Sequence, residues 1–257
     1  MKIFALMKAV PDTESVIEVK DGSIDTSGLT YVINPYDEYA IEQALQTRDK
    51  IKDGSEVAVV SVGGENARKT IEKTFGLGID MSYQLSDPAF EDLDPLGVAQ
   101  VLASFFKQVE FDMILAGRVG VDDDQCQVAV MLAELLGIPH IAVATAADAD
   151  ASGALTVEQE VDAGKQVVGL NLPAVVTVQK GINNPRYASA IMIMKGKKKP
   201  REIWDAAKVG FTPDGKACEV VEYIAPPQRE AGRMLTGELE ETVPELVRIL
   251  SDEKKLV

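Results

Sequence analysis

Short β-rich runs alternate with helix-patterned stretches over roughly the first 148 residues, and this alternation limits the fold more than any other feature. "IFALMKAV" (residues 3–10) is an apolar run of strand length, and "EVAVVSVGG" (56–64) is another that ends in a glycine turn. "MSYQL" (81–85) is a shorter candidate, and "FDMILAG" (111–117) reads as a buried strand. Between them, "NPYDEYAIEQALQTRDKI" sets Ala40, Ile41, Ala44, Leu45 and Ile51 near one helical face. Helices are expected near 66–75, over "LGVAQVLASFFKQ", and from about 124 to 136. In the last, Val128, Leu132, Leu135 and Leu136 form the apolar stripe, and Gly137 and Pro139 stop it. Such alternation implies a mainly parallel sheet with helices on both faces, a three-layer α/β/α fold. Ligands in these sheets bind at the carboxyl ends of strands, beside helix N-termini. Three loops qualify: 8–13, 61–64 and 117–127.

From Ala154 the pattern changes. "ALTVEQEVDAGKQVVGLNL" reads as two strands around a turn at 162–164, and "PAVVTVQ" as a further buried strand. Beyond Trp204 the chain becomes irregular, with Pro213, Gly215, Pro226 and Pro227, before an amphipathic helix near 239–250. Residues 1–205 are expected to form the α/β domain. Residues 206–257 are expected to be an extension packed on another surface, because their own core is too small to fold alone.

The formal net charge of -15 argues against a general nucleic-acid binder, which needs a basic face for phosphates. Two cysteines and one histidine, without metal-ligand spacing, argue against a zinc or iron–sulfur site and a disulfide framework. No stretch approaches the ~18–20 apolar residues of a membrane span, so direct membrane insertion is not expected. The N-terminal apolar run is too short for a signal peptide. A reducing, cytoplasmic setting is the expectation. His140, beside Pro139, reads as a packed or capping side chain, and no serine or cysteine has an evident base partner, so covalent hydrolase chemistry is not expected.

"NPYD" (34–37) has two readings. In one, Asn34 is an N-cap, Pro35 occupies the first turn and Asp37 closes a capping interaction. In the other, backbone groups at the positive helix end hold a nucleotide edge. "GRVGVDDDQCQ" (117–127) lacks the lysine and spacing of a P-loop. Its aspartates suit a helix N-terminus or a magnesium ion. If an anion binds there, backbone N–H groups and Gln125 or Gln127 must hold it, with the carboxylates turned away.

"MKAVPDT", "NPYDEYAIEQAL", "VVSVGG", "LAGRVGVDDDQCQ" and "LPAVVTVQKGINNPRYASAIMIMKGKKKP" occur in this order across most of the chain. Together they resemble the beta subunit of an electron-transfer flavoprotein. The resemblance implies a flavodoxin-like or adenine nucleotide alpha hydrolase-like fold for this chain, in a heterodimer with a homologous alpha subunit that carries most of an FAD site. It implies one AMP in this subunit, or a second FAD in the electron-bifurcating branch, where the complex oxidises NADH. Electrons would pass from a dehydrogenase, such as an acyl-CoA dehydrogenase, to a quinone oxidoreductase or similar acceptor. No catalytic residue is implied in this chain. A stand-alone adenine-nucleotide sensor is the remaining alternative.

By matching position, the resemblance assigns the nucleotide site to Ala9, to Asn34, Pro35, Tyr36 and Asp37, and to Val62. It adds the loop Val119, Gly120, Val121, Asp122, Asp123, Asp124, Gln125, Cys126, Gln127 and Val128. Val128 stands where the AMP-type loop has a threonine and where the bifurcating loop also has valine. Asp123 stands where the bifurcating loop has glycine, and an anionic side chain beside a pyrophosphate is unfavourable. The balance favours AMP.

The apolar run 190–194, followed by Lys195, Lys197, Lys198 and Lys199, matches the segment that docks a dehydrogenase. Ala190 stands where the family places a leucine anchor. Ile191 and Met192 are the substitutes expected, with Lys195 beside them. A buried edge is the competing reading.

Overall fold

The computed structural model describes residues 1–52, 54–196, 198–211, 216–227 and 231–256. Lys197, Pro213 and Gly215 lie outside these, as does the side chain of Ala190. The elements run β1 (Lys2–Leu6), β2 (Ala9–Pro11), β3 (Val19–Lys20), β4 (Ser23–Ile24), β5 (Tyr31–Ile33) and α1 (Pro35–Ile51). Next come β6 (Glu56–Val62), α2 (Glu65–Thr74), β7 (Met81–Leu85), α3 (Pro95–Phe106), β8 (Met113–Gly117) and α4 (Val128–Leu136). They are followed by β9 (His140–Ala149), β10 (Ala154–Val161), β11 (Gly164–Asn171), β12 (Ala174–Val178) and α5 (Ala190–Gly196). The last are β13 (Arg201–Trp204), α6 (Ala206–Val209) and α7 (Leu239–Arg248).

Nine strands form one sheet in the order β11-β10-β9-β12-β8-β1-β6-β7-β13. The pairings from β9 through β13 are parallel, and only β9-β10 and β10-β11 are antiparallel. Side chains alternate across the sheet, so each buried strand supplies two cores. Ile3, Ala5, Val57 and Val59 meet Ile41, Ala44 and Leu45 of α1 and Ile71 of α2. Phe4, Leu6, Ala58 and Val60 meet Val101 and Phe105 of α3 and Leu132 of α4. This is the expected three-layer α/β architecture.

From β1 the chain winds outward through β6 and β7, then crosses to β8 on the other side of β1. The chain thus leaves β1 and β8 in opposite directions along the sheet, which makes their carboxyl ends the switch point where ligands of such folds bind.

Three local expectations change. The run 3–10 is not one strand: β1 ends at Leu6, and Ala9 belongs to the ribbon β2-β5. The helix expected from about 124 begins at Val128, because Asp124 takes φ 51 and its N–H donates to the Gly120 carbonyl, closing a turn. The run 190–194 is helical, and β13, which the sequence reading did not anticipate, pairs with β7. Trp204 explains that strand: its ring meets Phe105 edge-on at 5.1 Å, extending an aromatic cluster with Phe4 and Phe106.

Past Phe211 the described residues bond the body at a few points. The Ala217 and Cys218 N–H groups donate to Asp94 Oδ2, at 2.6 and 3.0 Å, and Tyr223 N–H donates to the Gly22 carbonyl at 2.8 Å. Helix α7 buries none of its residues, and Leu239, Val243, Leu246 and Val247 stand exposed at helical spacing.

Candidate functional site at the ends of β1 and β8

Asp37 and Asn34 sit at the start of α1, and each ties two loops together. Asp37 Oδ2 accepts the Lys8 N–H at 2.7 Å, and Oδ1 accepts the Gly117 N–H at 3.1 Å. One carboxylate thus joins the chain leaving β1 to the end of β8. Asn34 Nδ2 donates to the Val119 carbonyl at 2.9 Å, and its Oδ1 accepts the Val121 N–H at 3.2 Å. The Asn34 N–H donates to the Lys8 carbonyl at 2.9 Å.

The capping reading of "NPYD" is therefore corrected. Asn34 holds the N-cap position but makes no side-chain cap bond, and Pro35 starts the helix. Val119 and Val121 compete for the Asn34 amide and win, since both are buried or half-buried groups that need partners. Asp37 points at Lys8 and Gly117 instead of back along its helix.

Asp37 is 5% exposed. Burial pushes its carboxyl up to about 7, while the Lys8 N–H, Asn34, the Gly117 N–H and the Lys8 charge pull the other way. Gly117 has no room for a side chain: a Cβ there would lie 2.7 Å from Tyr36 and would run into Asp37. The absent Cβ lets the start of α1 approach β8.

Lys8 Nζ reaches across to the loop after β8. It donates to Asp122 Oδ1 at 2.9 Å and Asp123 Oδ2 at 2.8 Å. Burial works against its charge, but the two carboxylates outweigh that, and the ammonium is held above its usual range. The magnesium option for these aspartates gives way: Lys8 is their cation. Among the described residues no group of three or more His, Cys, Asp or Glu is arranged to hold a metal.

The other assigned positions fall around this frame. Ala9 and Tyr36 are half-buried beside it, and Val62 ends β6, the next strand over. Val119 is buried and Gly120 and Val121 are half-buried, whereas Asp122, Asp123, Asp124, Gln125, Cys126 and Gln127 are exposed. Gln127 precedes α4 without a side-chain cap bond, and Val128 is the first helical residue. Sequence reasoning overlooked two residues. Lys8 carried a signal, the sole cation of the first loop. Ser61, at the end of β6, is fully buried with an Oγ that has no hydrogen-bond partner. His140 is neither packed nor capping: it is exposed at the start of β9.

The apolar segment lies elsewhere. Helix α5 rests on the turn 75–78, where a Cβ on Gly76 would stand 2.8 Å from both Ala188 and Ile193. Met192 turns inward over Gly78, so it is half-buried. Ile191 and Met194 face outward, 67% and 71% exposed, and Tyr187 is 98% exposed. Lys195 is exposed beside them. The buried-edge reading fails, and of the two substitute anchors Ile191 is outward while Met192 is not.

No helix is long and apolar enough to cross a membrane, among the described residues. The family model for the electron transfer flavoprotein domain matches residues 21–209. The chain is 38% identical to electron transfer flavoprotein subunit beta of Bacillus subtilis over the whole of both chains. It is 34% identical to the human protein of that name, over 90% of this chain and 91% of the other. It is 32% identical to the caffeyl-CoA reductase-Etf complex subunit CarD of Acetobacterium woodii, over 92% of each. With that extent of match laid over the parallel sheet and its switch point, the chain belongs to the electron transfer flavoprotein family, among its beta subunits.

Proposed function

We propose that this chain pairs with an alpha subunit to carry electrons from a dehydrogenase to a quinone oxidoreductase or similar acceptor, and that it holds AMP at the β1/β8 switch point. The observation that carries the nucleotide reading is the Lys8 bridge to Asp122 and Asp123, and AMP is preferred to a second FAD because Asp123 keeps a side chain where the bifurcating loop has glycine. The bridge meets the requirement that the loop's carboxylates be turned away and neutralised before backbone donors take a phosphate. Asn34 and Asp37 are engaged with the loops through their side chains, and their N–H groups bond the Lys8 and Asn34 carbonyls, so they shape the site and leave the Tyr36 N–H as the donor of 34–37 for a nucleotide edge. The residues suit an adenine mononucleotide in another respect. Ser61 Oγ is a buried hydroxyl in want of a partner on the neighbouring strand, and the uncapped start of α4 leaves N–H donors for an anion.

The AMP supplies no chemistry and has a structural role. The flavin, held mainly by the alpha subunit at the shared interface, supplies the electron-accepting ring. Residues 206–211 pack on the α/β body, with Val209 buried in its core, so the extension starts later than Ala206. The chain beyond it packs on the alpha subunit, which gives the bare apolar stripe of α7 a surface to cover it. A cytoplasmic setting suits the two exposed free thiols, Cys126 and Cys218.

Acid release from the co-purified heterodimer tests the nucleotide content. One FAD and one AMP are expected. Two FAD and no AMP would identify the bifurcating type instead, and a flavin-free homodimer would leave only the nucleotide sensor.

Helix α5 docks the dehydrogenase through Ile191 and Met194, and Lys195 attracts an acidic rim on the partner against this chain's own net charge of -15. Ile191→Ala with Met194→Ala is expected to raise the KM for the flavoprotein about tenfold in a dehydrogenase-coupled assay, since few anchors carry most of an interface. AMP content and thermal midpoint should stay put, because neither side chain is buried.

A further inference from the structure

The stretch between β12 and α5 is strapped along one face of α1. Asn183 Nδ2 donates to the Tyr39 carbonyl at 3.0 Å and to Gln43 Oε1 at 3.3 Å. Arg186 grips Glu42 with a fork, Nε to Oε2 at 2.7 Å and Nη2 to Oε1 at 3.1 Å. The Arg186 backbone N–H adds a third bond to Glu42 Oε2, at 3.2 Å, and the guanidinium reaches Asp49 Oδ2 at 3.2 Å. Residues 39, 42, 43 and 49 lie along one side of α1, so the strap follows the helix.

Two features set this contact apart from an ordinary surface ion pair. The Glu42 side chain is only 5% exposed, so its charge needs the guanidinium. The fork also fixes direction as well as distance, which a lysine would not do. By contrast, α5 has only seven residues, too few to hold a helix alone. The turn 75–78 supports its inner face, and the strap fixes where it enters.

We propose that Arg186 is a positioning residue for partner docking: through Glu42 it fastens the entry of α5 to α1 and presents Ile191 and Met194 already ordered. This rests on the docking role given to α5 above. Ordering the segment in advance removes an entropic cost from association and leaves electron transfer after docking untouched. The fastening also joins two parts of the chain that share a helix, since α1 starts at the Asn34–Asp37 frame and carries the strap on its later turns.

The test uses the assembled heterodimer with a short-chain acyl-CoA dehydrogenase reduced by butyryl-CoA. Arg186→Gln alone leaves Glu42 buried and uncompensated and lowers stability generally. The informative variant is therefore Glu42→Gln combined with Arg186→Gln, which removes both charges. Its KM for the flavoprotein should rise about fivefold with kcat unchanged. Amide hydrogen exchange over 190–196 should quicken about tenfold, with exchange at the β1/β8 loops and AMP content unchanged. Ile191→Glu serves as the reference. If it raises KM while the double variant alters neither KM nor exchange, the strap is overturned and α5 docking stands. If Ile191→Glu leaves KM alone, docking through α5 fails, and the positioning role falls with it.

Discussion

Asp37→Ala should lower the thermal midpoint by roughly 10 °C and release most of the AMP, an effect that differential scanning and acid extraction would both record. The reason is local. The carboxylate accepts the Lys8 and Gly117 N–H groups, and alanine leaves both without an acceptor in a buried place. Each orphaned donor costs about 1–3 kcal/mol, so the loss is on the order of 4 kcal/mol. At about 2–4 °C per kcal/mol for a chain of this size, that gives the stated shift. The loops after β1 and β8 then lose one of their buried ties, and Asn34 and the Lys8 bridge are left to hold them.

Asp37 also ties stability to pH. Burial raises its carboxyl from the usual 3.8 to about 7, so the folded chain holds this proton more tightly than the unfolded one. The contribution is fully present below pH 3.8 and is lost as pH rises through about 7. Asp37→Asn removes this component, and its amide still accepts one of the two N–H bonds. Unfolding in denaturant at several pH values between 4 and 8 should show a flatter profile for the variant, with a loss of about 1–3 kcal/mol or more at acid pH that shrinks or reverses as pH rises toward 8. An unchanged pH profile would mean that Asp37 stays ionised throughout.

Gly117→Ala should be nearly as damaging, although it adds one methyl group. The new Cβ would stand 2.7 Å from Tyr36 atoms that include the backbone carbonyl carbon, and would collide with Asp37. Backbone on both sides resists displacement, because β8 is a central strand and α1 is packed on β8 and β1. The start of α1 must back away, which lengthens the Asp37 bonds. Overpacking of this kind costs about 1–3 kcal/mol, and the weakened bonds add to it. A thermal midpoint within ~2 °C of the parent would show that α1 yields without strain.

Much of this was legible in the sequence, because periodicity is a local property. The runs at 56–64 and 111–117 are apolar whatever they pair with, and Ala40, Ile41, Ala44 and Leu45 share a helical face regardless of partner. The strand order was not legible: β12 inserts between β8 and β9, and no local pattern in "PAVVTVQ" encodes that neighbour. Asn34 and Asp37 show the same limit within a site. Their spacing satisfies a capping motif, but the groups that claim them, Val119 and Gly117, lie some eighty positions away. Strand-end reasoning and the resemblance both pointed to the loops at 8–13 and 117–127, which the structure brings together, while the contact of Lys8 with Asp122 and Asp123 emerged only in three dimensions. At α5, apolar residues in succession gave no period. Gly76 and Gly78 decide which of them face inward, and both lie on another element.

The anchoring of the described residues beyond Phe211 at a few points bears on the life of the subunit before assembly. A helix that buries nothing is open to proteases, and its bare leucines and valines suit the apolar clefts of chaperones. A subunit without a partner leaves this face open to clearance, and one whose partner covers it, as proposed above, would escape. Equal subunit numbers can then be maintained by clearance of the excess, with no need for matched synthesis.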